Sequence, residues 1–342
     1  MMTIREYKRA ESLEEAWQLN QKRNNRVIGG MIWLKMENIN VGTAIDLSGL
    51  GLDKIEETAE GFSIGAMVPL RQIELHEGLN AYTEGAVRES VRHIVGVQLR
   101  NLATVGGSIY SRFGFSDVLT MFLALNASVE LYKGGIVPLS EYAQRPYDRD
   151  ILVRVIVPKE QAAFCYQSVR NSQTDFPVLT CAAAKTAGGF RVAIGARPGK
   201  AVLYTLQPNA AETPELTAAR FAAEVRANIR TESNMRGSAE YRNHLAGVLV
   251  KRAVLKLEGN IILNGTKVTA EAAPDTLLID FVRAHGCYSV KRGCETSNCG
   301  LCTVFLDDVP VLSCSVLAAR ADGHRVTTLE GLQEEAAEFG AF

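Results

Sequence analysis

The chain has 342 residues, enough for two domains or three small ones. Apolar residues make up 47% and charged residues 22%, which excludes a disordered chain, a collagen and a coiled coil. Lys plus Arg is 37 and Asp plus Glu is 38, so no basic excess points to nucleic acid or to a membrane surface.

Residues 12–25 read as a helix, with Ser12 and Glu15 spaced as a capping box. The short run Arg26-Val27-Ile28 then meets Gly29-Gly30. Strands are expected at 41–47 and 61–67, and helical periodicity runs through 70–95. A second apolar run ends in Gly106-Gly107, followed by a loop, a helix from about Asp117 and a strand at Ser128–Tyr132. Strands are expected again at 151–157 and within 176–196. Amphipathic helices follow at 212–229, with Pro214 near its start, and at 236–257. Composition shifts near 258, where a strand, an Asn264-Gly265 turn, a second strand and a helix at about 275–285 lead into a cysteine-rich loop. A hairpin around Asp307-Asp308 closes that block. No apolar run approaches bilayer length, and the start, MMTIREYKRAESLEEA, has no export signal, so the expected location is cytoplasmic.

Of the seven cysteines, Cys165 and Cys181 are isolated, whereas Cys287, Cys294, Cys299, Cys302 and Cys314 fall within 28 residues. The spacing Cys294-x4-Cys299-x2-Cys302-x11-Cys314 supplies the four thiolates of a plant-type [2Fe–2S] cluster. Gly293 and Gly300 let such a loop fold tightly and aim N–H groups at sulfur, which tunes the cluster. A zinc site is the alternative, but it usually pairs two C-x2-C knuckles; here there is one, and His285 and His324 lie outside the loop. Cys287 is surplus and is expected to be a small buried side chain.

From about Gly259 to Gly331, the segments LNGTKVTAEAAPDTLLIDFVR, VKRGCETSNCGLCTVFLDDVPVLSC and VTTLEGL resemble the plant-type [2Fe–2S] domain of the molybdenum hydroxylases, the xanthine dehydrogenase family. The resemblance implies a β-grasp fold with Cys294, Cys299, Cys302 and Cys314 as ligands.

Consecutive glycines after a strand can form a nest of N–H groups that cradles a pyrophosphate, although either pair alone reads equally as an ordinary turn. There is no G-x-G-x-x-G, so no Rossmann site is indicated. The segments RVIGGMIWLKM, IGAMVPLRQIE and RNLATVGGSIYSRFGFSDVLTMFLAL resemble the flavin domain of the same family, and RGSAEYRNHLAGVLVKRA the end of the domain after it. The resemblance implies FAD held by Val27, Ile28, Gly29, Gly30, Met31 and Ile32 on one loop and by Thr104, Gly106, Gly107, Ser108 and Ser111 on a second. It places Asp117 on the ribityl chain, where a carboxylate can accept from sugar hydroxyls; a helix N-cap is the other reading, and both can hold. Met31 stands where many relatives have Thr or Ser, Ser108 where many have Asn, and Tyr166-Gln167 where many have a lysine ahead of Arg170 and Asp175. Arg236, Glu240 and Arg242 read as parts of a solvated or structural helix.

The expected fold class is α+β. A two-part FAD-binding domain of the molybdopterin dehydrogenase type occupies 1–160, a C-terminal flavoprotein domain 161–257, a β-grasp [2Fe–2S] domain 258–332 and a tail 333–342. The resemblance implies an electron-transfer subunit of an oxidoreductase, most like xanthine dehydrogenase. A molybdopterin-binding partner oxidises a purine or other heteroaromatic, and electrons pass through the cluster to FAD and on to NAD or another acceptor. Flavin precedes cluster here, the reverse of single-chain relatives, and no general base or nucleophile is nominated. The second [2Fe–2S] domain of such relatives would begin where the chain ends, at GLQEEAAEFGAF, so that cluster is expected on another chain or segment, or not at all. The alternatives are a carbon monoxide dehydrogenase-type or other aromatic-substrate hydroxylase, an electron-transfer module that has lost FAD, and a zinc-stabilised scaffold.

Overall fold

The structure, a computed structural model, describes residues 2–209, 212–258, 261–268, 272–273 and 275–332. The expected tail at 333–342 and the beginning of the resemblance at Gly259 lie outside those residues. The chain forms two compact units, one made of Met1–Glu212 and Ala219–Ala253, the other of Thr213–Ala218 and Val254–Phe342. The fold is α+β.

The first unit opens with β1 (Thr3–Arg9), α1 (Leu13–Asn20), β2 (Arg26–Ile28) and β3 (Asn40–Asp46), a parallel sheet in the order β1-β3-β2. Ser12 caps α1 by accepting from the Glu15 amide at 3.1 Å, as expected. The helix ends at Asn20, five residues early, because the polar run after it has nothing to pack against a core. The exposed strand β1 escapes the sequence reading, since its charged residues carry no burial pattern and its partner β3 is remote.

A second layer follows: β4 (Ile55–Glu57), β5 (Gly61–Gly65), α2 (Leu70–Leu75), α3 (Glu77–Tyr82), α4 (Ala86–Val91), α5 (Val97–Arg100), α6 (Val105–Tyr110), α7 (Asp117–Ala124), β6 (Ser128–Leu131), β7 (Gly135–Pro138), α8 (Leu139–Tyr142) and β8 (Leu152–Pro158). Its sheet runs β4-β5-β8-β6-β7. The periodicity over 70–95 resolves into three short helices, broken at the extended His76 and at Glu84-Gly85, where both residues have left-handed φ. Ser116, not Asp117, is the N-cap of α7, and its Oγ accepts from the Leu119 amide at 3.1 Å. All eight residues of α7 are buried, Asp117 and Thr120 among them, so this helix is enclosed on every face within the core.

The third layer is the antiparallel sheet β12-β11-β10-β9, formed by β9 (Ala162–Arg170), β10 (Pro177–Thr186), β11 (Gly189–Gly195) and β12 (Val202–Leu206). Helix α7 packs on β10 and β11. Cys165 and Cys181 are buried here as small apolar side chains. The amphipathic helices are α9 (Pro214–Asn228) and α10 (Ala239–Leu257). Arg242 is 1% exposed and hydrogen-bonds to Val178 O, Glu232 O, Gly237 O and Asn234 Oδ1, a structural role as expected.

The second unit carries β13 (Ile261–Leu263), β14 (Thr266–Val268), α11 (Leu278–Ala284), β15 (Thr303–Leu306), β16 (Val309–Leu312) and β17 (Arg325–Thr327). The sheet order is β14-β13-β17-β15-β16, mixed, with β13 and β17 parallel at its centre. That sheet with one helix against it is the expected β-grasp. Both hairpins turn where the sequence places them, since Asn264, Gly265, Asp307 and Asp308 all take positive φ. Among the described residues no helix is long and apolar enough to cross a membrane.

Candidate functional site

The two glycine pairs, far apart in sequence, meet in the first unit. A Cβ on Gly30 would lie 1.9 Å from the Leu102 carbonyl oxygen, and one on Gly29 would lie 2.8 Å from Thr104 Oγ1. Only a bare backbone allows that approach. The pairs then differ. Among the described residues, the N–H groups of Gly29, Gly30, Met31 and Ile32 donate to no backbone carbonyl, and none of them meets a side-chain acceptor. Met31 sits at φ 57, a strained setting for a bulky residue and one that turns successive amides the same way. A run of open donors at a strand end is what a pyrophosphate requires.

The second pair has no such donors to offer. Val105 and Gly106 donate to Val68 O and Ala66 O, Gly107 to Thr104 Oγ1, and Ser108 to Thr104 O. A Cβ on Gly106 would fall 2.5 Å from Ala66 O, so this glycine is there for close packing of α6 on the preceding strand. Open N–H groups are therefore found on the first loop and not on the second, among the described residues. The hydroxyls of Ser108 and Ser111 bond back to Thr104 O and Gly107 O.

Val27 and Ile28 end β2 and lead into the first loop. Asp117 is tied to the second loop through its neighbour, since Ser116 Oγ donates to Ser108 O at 2.9 Å. Its carboxylate is buried and accepts from Arg170 Nη2 and Tyr166 Oη, each at 2.5 Å. Burial pushes its pKa up to about 6, against the pull of the Arg170 charge. Beside the first loop, Trp33, Phe115, Phe176 and Arg236 help line a cavity of about 220 Å³. The Trp33 ring lies 5.4 Å from Phe115 and 5.3 Å from Phe176. Sequence reading missed this aromatic cup. Trp33, two residues past the first loop, was its one visible signal.

In the second unit the cysteine loop has its own nest. Glu295, Ser297 and Gly300 take positive φ, curling the chain so that the Asn298 and Cys299 amides donate to Cys294 Sγ at 3.2 and 3.3 Å. The Cys294 amide in turn points at Cys299 Sγ, 3.4 Å away. Hydrogen bonds from the Thr296 side chain, then from the Thr296, Asn298 and Cys299 amides, pull the Cys294 thiol down to about 6, so it is a ready thiolate. Cys302 and Cys314 form the other pair, hydrogen-bonded to each other; burial raises the first, while Ser315 lowers the second. Hydroxyls of Ser297 and Ser315 tie the loop to that pair. A Cβ on Gly293 would meet Cys299 Sγ at 2.7 Å, so glycine keeps the space beside that sulfur open.

Among the described residues no three His, Cys, Asp or Glu side chains gather about a single point. The thiols come in two pairs, which suits two irons sharing four cysteines. Cys287 is buried in the core behind them and accepts from Asn264 Nδ2, as a structural thiol.

A flavin and iron–sulfur electron carrier is the class these two sites define. Three family profiles match in succession: FAD binding domain in molybdopterin dehydrogenase over 2–160, CO dehydrogenase flavoprotein C-terminal domain over 164–257, and 2Fe-2S iron-sulfur cluster binding domain over 261–327. The chain belongs to the molybdenum hydroxylase family, that of xanthine dehydrogenase, as an oxidoreductase subunit with FAD and a [2Fe–2S] cluster as its cofactors.

YgfM of Escherichia coli (strain K12) is 27% identical over 252 residues, covering 72% of this chain and 94% of that protein. The xanthine dehydrogenase iron-sulfur-binding subunit of Escherichia coli O157:H7 is 44% identical over 20% of this chain and 43% of its own length. The nicotinate dehydrogenase small FeS subunit of Eubacterium barkeri is 40% identical over 23% of this chain and 52% of its length. The chain thus spans about half the length of these iron–sulfur relatives. The carbon monoxide dehydrogenase of Hydrogenophaga pseudoflava shares the fold, with a TM-score of 0.67 at 22% identity over 73% of this chain and 95% of that one.

Proposed function

We propose that this chain is the electron-relay subunit of a complex most like xanthine dehydrogenase, joined to a molybdopterin-binding chain that oxidises the substrate, with NAD or another acceptor taking the electrons. The observation that carries the reading is the coexistence of a converged double-glycine cradle with a paired-thiol loop on one polypeptide. When bound, the cluster passes electrons singly and the flavin collects two. The chain's own residues position and tune. Amides of Gly29 to Ile32 receive the pyrophosphate, Asp117 the ribityl chain, and Cys294, Cys299, Cys302 and Cys314 the two irons. Amides donating to Cys294 Sγ would stabilise negative charge on that sulfur and so favour the reduced state of a bound cluster.

The match of 164–257 to a carbon monoxide dehydrogenase flavoprotein domain supports a second reading, a subunit of a carbon monoxide dehydrogenase-type complex or of a hydroxylase acting on an aromatic substrate. The test begins with anaerobic purification and quantitation of iron, sulfide and flavin on one sample. Two irons and one flavin per chain support the relay; two irons with no flavin, and none on adding FAD, favour the stripped module. A colourless preparation holding zinc sinks both. Isolating the intact complex and comparing xanthine, nicotinate and carbon monoxide, each with NAD, then decides the substrate and the acceptor.

A further inference from the structure

We propose that Tyr166 and Arg170 are positioning residues for the flavin: they hold one oxygen of Asp117 and leave the other to accept from a hydroxyl of the cofactor. This rests on the flavin reading above and extends it to two residues on β9.

Both donors converge on the same atom. Tyr166 Oη and Arg170 Nη2 each lie 2.5 Å from Asp117 Oδ1. No side chain among the described residues donates to Oδ2, and the carboxyl's other donor is its own backbone N–H. The guanidinium is itself fixed, because its Nη1 donates to Asp175 O at 2.6 Å and its Nε to Ser168 Oγ at 3.2 Å. Asp175 is held by Arg236 Nη2 at 3.0 Å. Asp117 is 5% exposed and the Arg170 side chain 7%, so the arrangement is a buried ion pair. Such a pair is a poor way to gain stability, because the desolvation of two charges offsets their attraction. It is a good way to aim a carboxylate, since two donors on one oxygen fix the direction of the other's lone pairs. The tie from Ser116 Oγ to Ser108 O fixes the register of that carboxylate against the second glycine loop.

The charged and titratable groups facing this cluster are Tyr166 and Arg170 on β9, Asp175 after β9 with its partner Arg236, His93 after α4, which like Asp175 feels the Arg170 charge, and Cys181 on β10, which neighbours Tyr166. The Arg170 charge is the largest pull toward the ionised carboxyl, followed by the Tyr166 hydrogen bond. Loss of Arg170 leaves burial opposed mainly by Tyr166, and Asp117 then stays protonated to higher pH.

The experiment titrates flavin-free full-length protein with FAD, read by quenching of flavin fluorescence, from pH 5.5 to 8.5. Thermal melting and the cluster's visible absorbance are followed on the same samples. Tyr166→Phe, an isosteric change, is expected to weaken FAD binding about five-fold. Arg170→Gln is expected to weaken it ten-fold or more and to move the pH at which affinity rises upward by at least one unit; Arg170→Lys should restore part of both. A purely structural pair would lower the melting temperature while leaving affinity and its pH profile unchanged in the folded variants. That result, or unchanged affinity in Tyr166→Phe, overturns the proposal even if Arg170→Gln fails to fold. If the unaltered protein binds no FAD at any pH, the flavin reading itself fails, and this proposal with it.

Discussion

The cysteine loop and the flavin cradle differ in how much of the chain each needs. The loop gathers its four thiols between Cys294 and Cys314, and its amides reach sulfur across five residues or fewer. The cradle joins Gly29–Ile32, Thr104–Ser111, Asp117 and two residues of β9, brought together by three sheets. A local site inherits its geometry from turn chemistry, whereas a dispersed one exists only when the tertiary fold places its parts. Damage to the first should therefore be absolute and confined, and damage to the second graded.

Cys299→Ser gives the sharpest form of that contrast. We expect iron to fall from two per chain to none while flavin stays bound, measured by metal analysis and absorbance on one sample. Loss of both cofactors in a folded variant would break the comparison. Gly30→Ala comes next. Its Cβ would sit 1.9 Å from Leu102 O, which has no room to move as backbone, so the two loops must part. FAD affinity should fall about a hundred-fold, on the order of 3 kcal/mol, with iron unchanged.

The second pair should respond more weakly. Gly106→Ala meets Ala66 O at 2.5 Å and is an overpacking change, expected to cost about 1–3 kcal/mol in thermal unfolding and to weaken FAD less than Gly30→Ala. Gly107→Ala meets only Thr104 Oγ1, at 3.1 Å, inside a helix. Its effect should stay within about 0.5 kcal/mol, since helix propensity offsets the contact. If Gly107→Ala proves as harmful as Gly30→Ala, the second loop is more than a packing element.

The smallest effect belongs to Glu330 in the second unit. Partial burial pushes its carboxyl up, but hydrogen bonds from Ser289 and Thr328 outweigh that and hold it at about 2, against an ordinary 4.5. A depressed carboxyl contributes stability above its unfolded value and loses it as pH falls. Melting by circular dichroism should thus drop for the unaltered chain between pH 4.5 and about 2, and drop less for Glu330→Gln over that window.

Much of the molecule was legible from composition and spacing because it is written locally. The cysteine interval, the Asn264-Gly265 and Asp307-Asp308 turns and the Ser12 cap each depend on neighbours a few residues away. The order of flavin and cluster segments came instead from the resemblance of whole segments to the molybdenum hydroxylase family. What the fold alone decided depends on distance along the chain. No periodicity says that Gly30 will touch Leu102, or that the amides of one glycine pair stay open while those of the other are consumed by Ala66 and Thr104. Nor does it place Tyr166 and Arg170 on one oxygen of Asp117, about fifty residues earlier. Those facts arise when sheets pack and bury polar groups, because a buried donor or acceptor must find a partner wherever the fold offers one.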